Sequence, residues 1–157
     1  MNRKILFGAM GALAMMSATV LAADSIPWPW ASKSHPDPAL VTLTEIADVT
    51  ASVEKSDTPL VAITVNGTAP TDNYTELQLV PRVGDPKDLN FAFDAKGRPP
   101  QDMNTQVPTP VTISAKYSGA PIDKVSVIEV YGQNNCKGFS ITDNKTVECA
   151  SKSVPQQ

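Results

Sequence analysis

The 157-residue chain has little of what most enzymatic and metal sites are built from. It contains one histidine, His35, and two cysteines, Cys136 and Cys149. Serine or cysteine hydrolysis needs a general base, and a lone imidazole between Ser34 and Pro36 has nothing to hold it at a working geometry. Structural zinc and thioether-imidazole copper sites lack their ligands, because four of the five methionines (Met1, Met10, Met15 and Met16) fall in the first 22 residues and only Met103 follows. Basic runs are also missing: lysines and arginines are interspersed with acids and the net charge is −3. Nucleic acid and anionic membrane surfaces, which need clustered cations, are therefore not expected partners. No window of a dozen residues carries apolar side chains at helical spacing.

What is present starts with an address. Asn2-Arg3-Lys4 is basic, Ile5 to Leu21 is apolar without a charge, and Val20-Leu21-Ala22 offers small residues at a cleavage position. This pattern predicts a secretory signal peptide over 1–22. The run is short for a membrane span and no second apolar stretch follows, so no stable membrane insertion is expected after its removal. Cleavage takes away Arg3 and Lys4 and no acid, moving the charge from −3 to −5 and leaving about 135 residues, enough for one domain. The expected location is periplasmic or secreted, in a bacterium. In that oxidising setting Cys136 and Cys149 most simply form a disulfide.

Residues 23–39 read as a proline- and tryptophan-rich arm. Pro27, Pro29, Pro36 and Pro38 prevent a helix and favour extended chain, and Trp28 and Trp30, the only tryptophans, lie between them. Two readings stay open: a docking segment that presents two rings to a partner, or rings that cap and coat the domain's own core.

From 40 to 132 the chain alternates with period two. Val41, Leu43, Ala47, Val49, Ala51 and Val53 share one parity, broken at Glu45-Ile46, which predicts strands over about 40–45 and 47–55. Val61, Ile63 and Val65 face inward in the next strand, closed by Gly67 to Asn73, and Leu77 and Leu79 supply the inner face of the one ended by Pro81. Phe91 and Phe93 mark the core centre. Lys96 to Gln106, holding Arg98 and Met103, reads as a long loop, followed by inward Val111, Ile113, Ala115 and Tyr117 and a last core strand from Val125 to Tyr131. The expected fold class is all-β: an antiparallel immunoglobulin- or fibronectin type III-like sandwich of about seven strands plus a C-terminal disulfide hairpin, with a small β-barrel as the alternative.

The hairpin is predicted over 133–150, ahead of a flexible tail at 151–157. Cys136 and Cys149 are equidistant from the Thr142–Asp143 step, so a turn there sets them opposite one another, while Phe139 and Val147 would need a bulge to pair. A bridge closing a loop of this size stabilises by about 3 kcal/mol in the chain-entropy model. The carboxylates mostly fall on outward or turn positions. Glu129 is the exception, sharing parity with Val125 and Val127 unless a local twist or bulge points it outward. The loops Asp85–Asp88 and Asp94–Asp102 lack the alternating acidic pattern of a calcium loop, so no metal or cofactor is expected. The sequons at Asn66, Asn73 and Asn144 are expected to be unmodified behind a bacterial signal.

Val49-Thr50-Ala51-Ser52-Val53, Ile63-Thr64-Val65-Asn66-Gly67-Thr68-Ala69-Pro70, Glu76-Leu77-Gln78-Leu79-Val80-Pro81-Arg82-Val83, Phe91-Ala92-Phe93-Asp94-Ala95 and Gln106-Val107-Pro108-Thr109-Pro110-Val111 resemble segments of small uncharacterised exported β-sandwich proteins of Gram-negative bacteria. The resemblance covers Val49 to Tyr131 and implies a stand-alone β domain with no assigned activity. The functional expectation is a non-enzymatic binding module for an exported protein, with Trp28, Trp30, Arg98 and Met103 as candidate contacts. The alternatives are a carbohydrate-binding or carboxylate-using enzyme-like domain, and an inhibitor of an exported protease that offers the long loop as bait.

Overall fold

The computed structural model describes residues 26–27, 37–82, 90–102, 106–118 and 125–150. Residues 1–22, where a signal peptide is expected, both tryptophans, His35, Met103, the acidic stretch 85–88 and residues 151–157 lie outside them. Within them the protein is all-β, without a helix, and its strands form two sheets.

The first sheet has the order β1-β7-β4-β3, from β1 (Ile26–Pro27), β3 (Glu45–Glu54), β4 (Leu60–Ala69) and β7 (Thr109–Ser118). Every residue of β4 pairs with β7, and all but Ala69 pair with β3. Alternation then sorts the side chains: Val49, Val61, Val65, Ile113 and Tyr117 are buried, while Thr50, Ser52, Asn66, Thr112 and Ser114 are exposed. Polar side chains line up across the outer face, Asp48-Asn66-Thr112 and Thr50-Thr64-Ser114, and the Thr112 hydroxyl donates to Asn66 Oδ1 at 2.8 Å.

In the second sheet β6 (Asn90–Arg98) carries β5 (Thr75–Pro81) on one edge. Its other edge is shared by β8 (Val127–Tyr131) and β2 (Val41–Thr42), and β9 (Cys136–Ser140) and β10 (Lys145–Val147) follow β8. The two layers close over Leu43, Ile46, Val49, Val61, Ile63, Val65, Phe93, Ile128 and Val130, with the Phe93 and Tyr117 rings 5.2 Å apart. Tyr117 donates its hydroxyl to the Leu79 carbonyl at 3.1 Å, satisfying the one polar atom this large ring brings into the core.

Several sequence expectations are corrected. The pairing is not antiparallel throughout: β6 and β8 run parallel, as do β1 and β7. The chain leaves β6, crosses to the other sheet as β7 and returns as β8, and a crossover of this kind brings the strand back in the same direction. Alternation carries no information about direction. The phase break near Glu45 is a change of sheet: Leu43 N donates to Ala95 O in the second sheet and Thr44 N to Thr68 O in the first. A bulge follows between Ile46 and Asp48, so Ala47 is exposed and Ile46 is buried in its place. Val41 also points outward while Leu40 is buried.

Strand β4 continues to Ala69, past its expected end at Gly67, and β6 runs to Arg98, into the expected loop. Gly97 is a packing glycine there, since a Cβ would lie 2.8 Å from Leu77 Cδ2 and 3.0 Å from Tyr74 Cδ1. The hairpin pairs Ser140 with Lys145, Phe139 with Thr146 and Gly138 with Val147, around the expected tip and with no bulge. It is no appendage, because β9 is hydrogen-bonded along β8 and Phe139 is part of the core.

Candidate functional site

Two polar clusters stand out against this apolar framework. The first is at the end of β6. Arg98 Nη2 lies 2.7 Å from Asp37 Oδ2 and 2.8 Å from Glu76 Oε2, so one guanidinium joins the last part of the proline-rich arm to β5. Glu76 reaches it from a left-handed backbone, φ 48°, where β5 shifts register between Thr75 and Gln78. Asp37 also caps its own turn by accepting from Ala39 N at 2.9 Å. That backbone bond, and then Arg98, hold the Asp37 carboxyl below its usual range, and Arg98 does the same for Glu76. Both carboxylates in turn push the guanidinium pKa up.

Arg98 is thus where two expected recognition segments meet. Asp37 lies two residues before the arm's expected end at 39, β6 ends at Arg98 inside the expected loop, and Val107 just beyond that loop is 53% exposed. The other flank of the tryptophan stretch is tied to the first sheet, where Ile26 pairs with Tyr117 and Pro27 with Ser118. The stretch between these anchors, 28–36, and Met103 lie outside the described residues.

The second cluster lies on the outer face of the second sheet. Inward residues of β8 are Ile128 and Val130, opposite to the expected parity, so Glu129 and Tyr131 share the outer face. Glu129 is nonetheless only 3% exposed. Its carboxylate accepts the Tyr131 hydroxyl at 3.0 Å and the Ala150 backbone N–H at 2.7 Å. The Arg82 guanidinium carbon lies 3.6 Å from the Tyr131 ring centroid, and Arg82 also donates to Asp94 Oδ1 at 2.9 Å. Beside this network Cys136 and Cys149 are joined in the expected disulfide.

Sequence reasoning noticed Glu129 but missed the partners that bury it. The available signal was the Glu-x-Tyr spacing, which puts carboxylate and phenol on one face of a strand. It also missed Asn135, whose side-chain amide copies a strand: Oδ1 accepts from Ile46 N at 2.7 Å and Nδ2 donates to Ile46 O at 2.8 Å. The β8–β9 turn comes this close because Gly132 has no Cβ to meet Glu45 Cα and Ile46 Cγ1, each 3.3 Å from where it would be. Among the described residues, no group of three or more His, Cys, Asp or Glu side chains is arranged to hold a metal ion. No family model, curated protein or solved structure matches the chain.

Proposed function

We propose that this chain is an exported, non-catalytic binding module whose partner is another exported protein, engaged through the tryptophan stretch and the adjoining 99–108 loop. The observation that carries the reading is the double anchoring of the arm. Its backbone pairs with β7 at Ile26–Pro27, and its end is ion-paired to Arg98 through Asp37. A segment held at both flanks has less conformational freedom to lose on binding, which favours Trp28 and Trp30 as partner contacts over a free arm. The disulfide is consistent with an oxidising compartment, and the basic-then-apolar amino terminus supports export by a cleaved signal.

We further assign the two-sheet fold to the immunoglobulin or fibronectin type III kind. The layering of two mainly antiparallel sheets supports this, and the parallel β6–β8 and β1–β7 pairs are its departures from a purely antiparallel sandwich. The experiment is capture of exported proteins on the wild type and on the Trp28→Ala/Trp30→Ala variant, followed by binding measurements with the purified partner. Saturable binding lost with both rings is the expected result. A partner that binds both forms equally overturns the role of the arm. Binding to glycan arrays with no protein retained overturns the choice of partner class.

A further inference from the structure

We propose that residues Glu148–Ala150 form a redox-operated latch that closes over Glu129. The ladder of β10 ends at Val147, and no backbone hydrogen bond to the sheet is made by the three residues that follow, among the described residues. Two tethers of different chemistry hold them instead: the Cys136–Cys149 bond and the Ala150 N–H on Glu129 Oε1 at 2.7 Å. The second depends on the first. A single charge-assisted hydrogen bond does not outweigh the entropy of ordering three residues, so the strap stays closed only while the covalent bond keeps Ala150 beside the carboxylate.

The other end of the network needs no strap. Tyr131 is paired to Asp94 of β6 and to Cys136 of β9, its ring is covered by Arg82, and its hydroxyl reaches Glu129 from within the sheet. Opening the strap therefore uncovers a preformed outer-face patch of carboxylate, phenol and guanidinium on strands whose inner face, Ile128 and Val130, remains packed in the core. Both cysteines are half-buried and neither belongs to the enclosed core.

The opening step is thiol–disulfide exchange with a dithiol reductant. One of its thiolates attacks a cysteine sulfur, the S–S bond breaks and the other cysteine leaves as a thiolate. The second thiol of the reductant then displaces the first cysteine. The reductant ends as a disulfide, and its two electrons and two protons end on Cys136 and Cys149.

Amide hydrogen exchange on the oxidised protein, before and after addition of dithiothreitol, tests the latch. Reduction is expected to speed exchange at Ala150 by roughly tenfold or more while Ile128 and Val130 stay protected. Cys136→Ser/Cys149→Ser should reproduce this without reductant, and Glu129→Gln in the oxidised protein should speed Ala150 by less. Unchanged protection at Ala150 after reduction overturns the proposal. So does exchange at Ile128 and Val130 reaching the rate of unprotected amides together with Ala150, which would make the disulfide a staple without which the domain does not stay folded.

Discussion

The two sheets reach order by different means. In the first, β3, β4 and β7 are ten residues each and pair along nearly their whole length, and the outer face carries mostly hydroxyls, amides, small side chains and a few charges open to water. In the second, β8 and β9 have five residues and β10 has three, and the outer face is tied together by a buried carboxylate, a cation over a ring and a disulfide. Long strands repeat the same inside-outside pattern many times, so register is over-determined and needs no side-chain cross-links. Short strands repeat it two or three times, and specific polar and covalent contacts supply what repetition does not.

This contrast can be broken at graded cost. Phe93→Ala removes a fully buried ring that both sheets share and should cost about 3–5 kcal/mol in urea unfolding, the largest single effect. Loss of the disulfide in Cys136→Ser/Cys149→Ser should cost about 3 kcal/mol, and the wild type measured under reductant should fall to the same midpoint. Asn135→Ala leaves the Ile46 N–H and carbonyl without the amide that pairs them and should cost about 1–3 kcal/mol. An Asn135→Ala protein as stable as wild type would show that water replaces the amide at this junction.

Tyr117→Phe should cost about 1 kcal/mol at neutral pH, by removing the donor to Leu79 O. Burial raises the Tyr117 pKa above its ordinary 10.0, so the phenol favours folding below pH 10. Wild-type stability should therefore fall as pH rises past 10, and unfolding curves of the phenylalanine variant should fall less steeply. The smallest effect is expected from Arg98→Ala, whose partners are solvent-exposed. It is best read in acid. Asp37 and Glu76 are held below their ordinary values of 3.8 and 4.5, so their contribution is present above those values and is lost as pH falls below them, through the lowered values of the folded protein. The variant's acid unfolding should be shallower there, and identical profiles would show the trio to be without weight.

How much of this was legible depended on strand length. Val61, Ile63 and Val65 were readable as core because alternation holds through the whole of β4. The inner parity of β8 was misread because Val125 is buried before the strand starts and Val127 is half-exposed within it, leaving only Ile128 and Val130 to set the face. The hairpin register followed from counting residues to the tip, which is a local property. The candidate site was legible only as pieces. Arg98 appeared in a loop and Asp37 in an arm, and nothing local joins residues 61 positions apart.

The sequence by itself determined the all-β character, the inward faces of β4, of β7 and of β3 from Val49 onward, the turn of the C-terminal hairpin and the cysteine pairing, because each depends on periodicity or spacing within a short stretch of chain. Only the tertiary structure decided that β6 and β8 run parallel, that the chain changes sheets at Leu43–Thr44, and that Glu129 is buried with its carboxylate bonded to the Ala150 N–H. Those outcomes depend on which strands meet across the core. Pairing of that kind is governed by the packing of the two layers and leaves no period in the order of the residues.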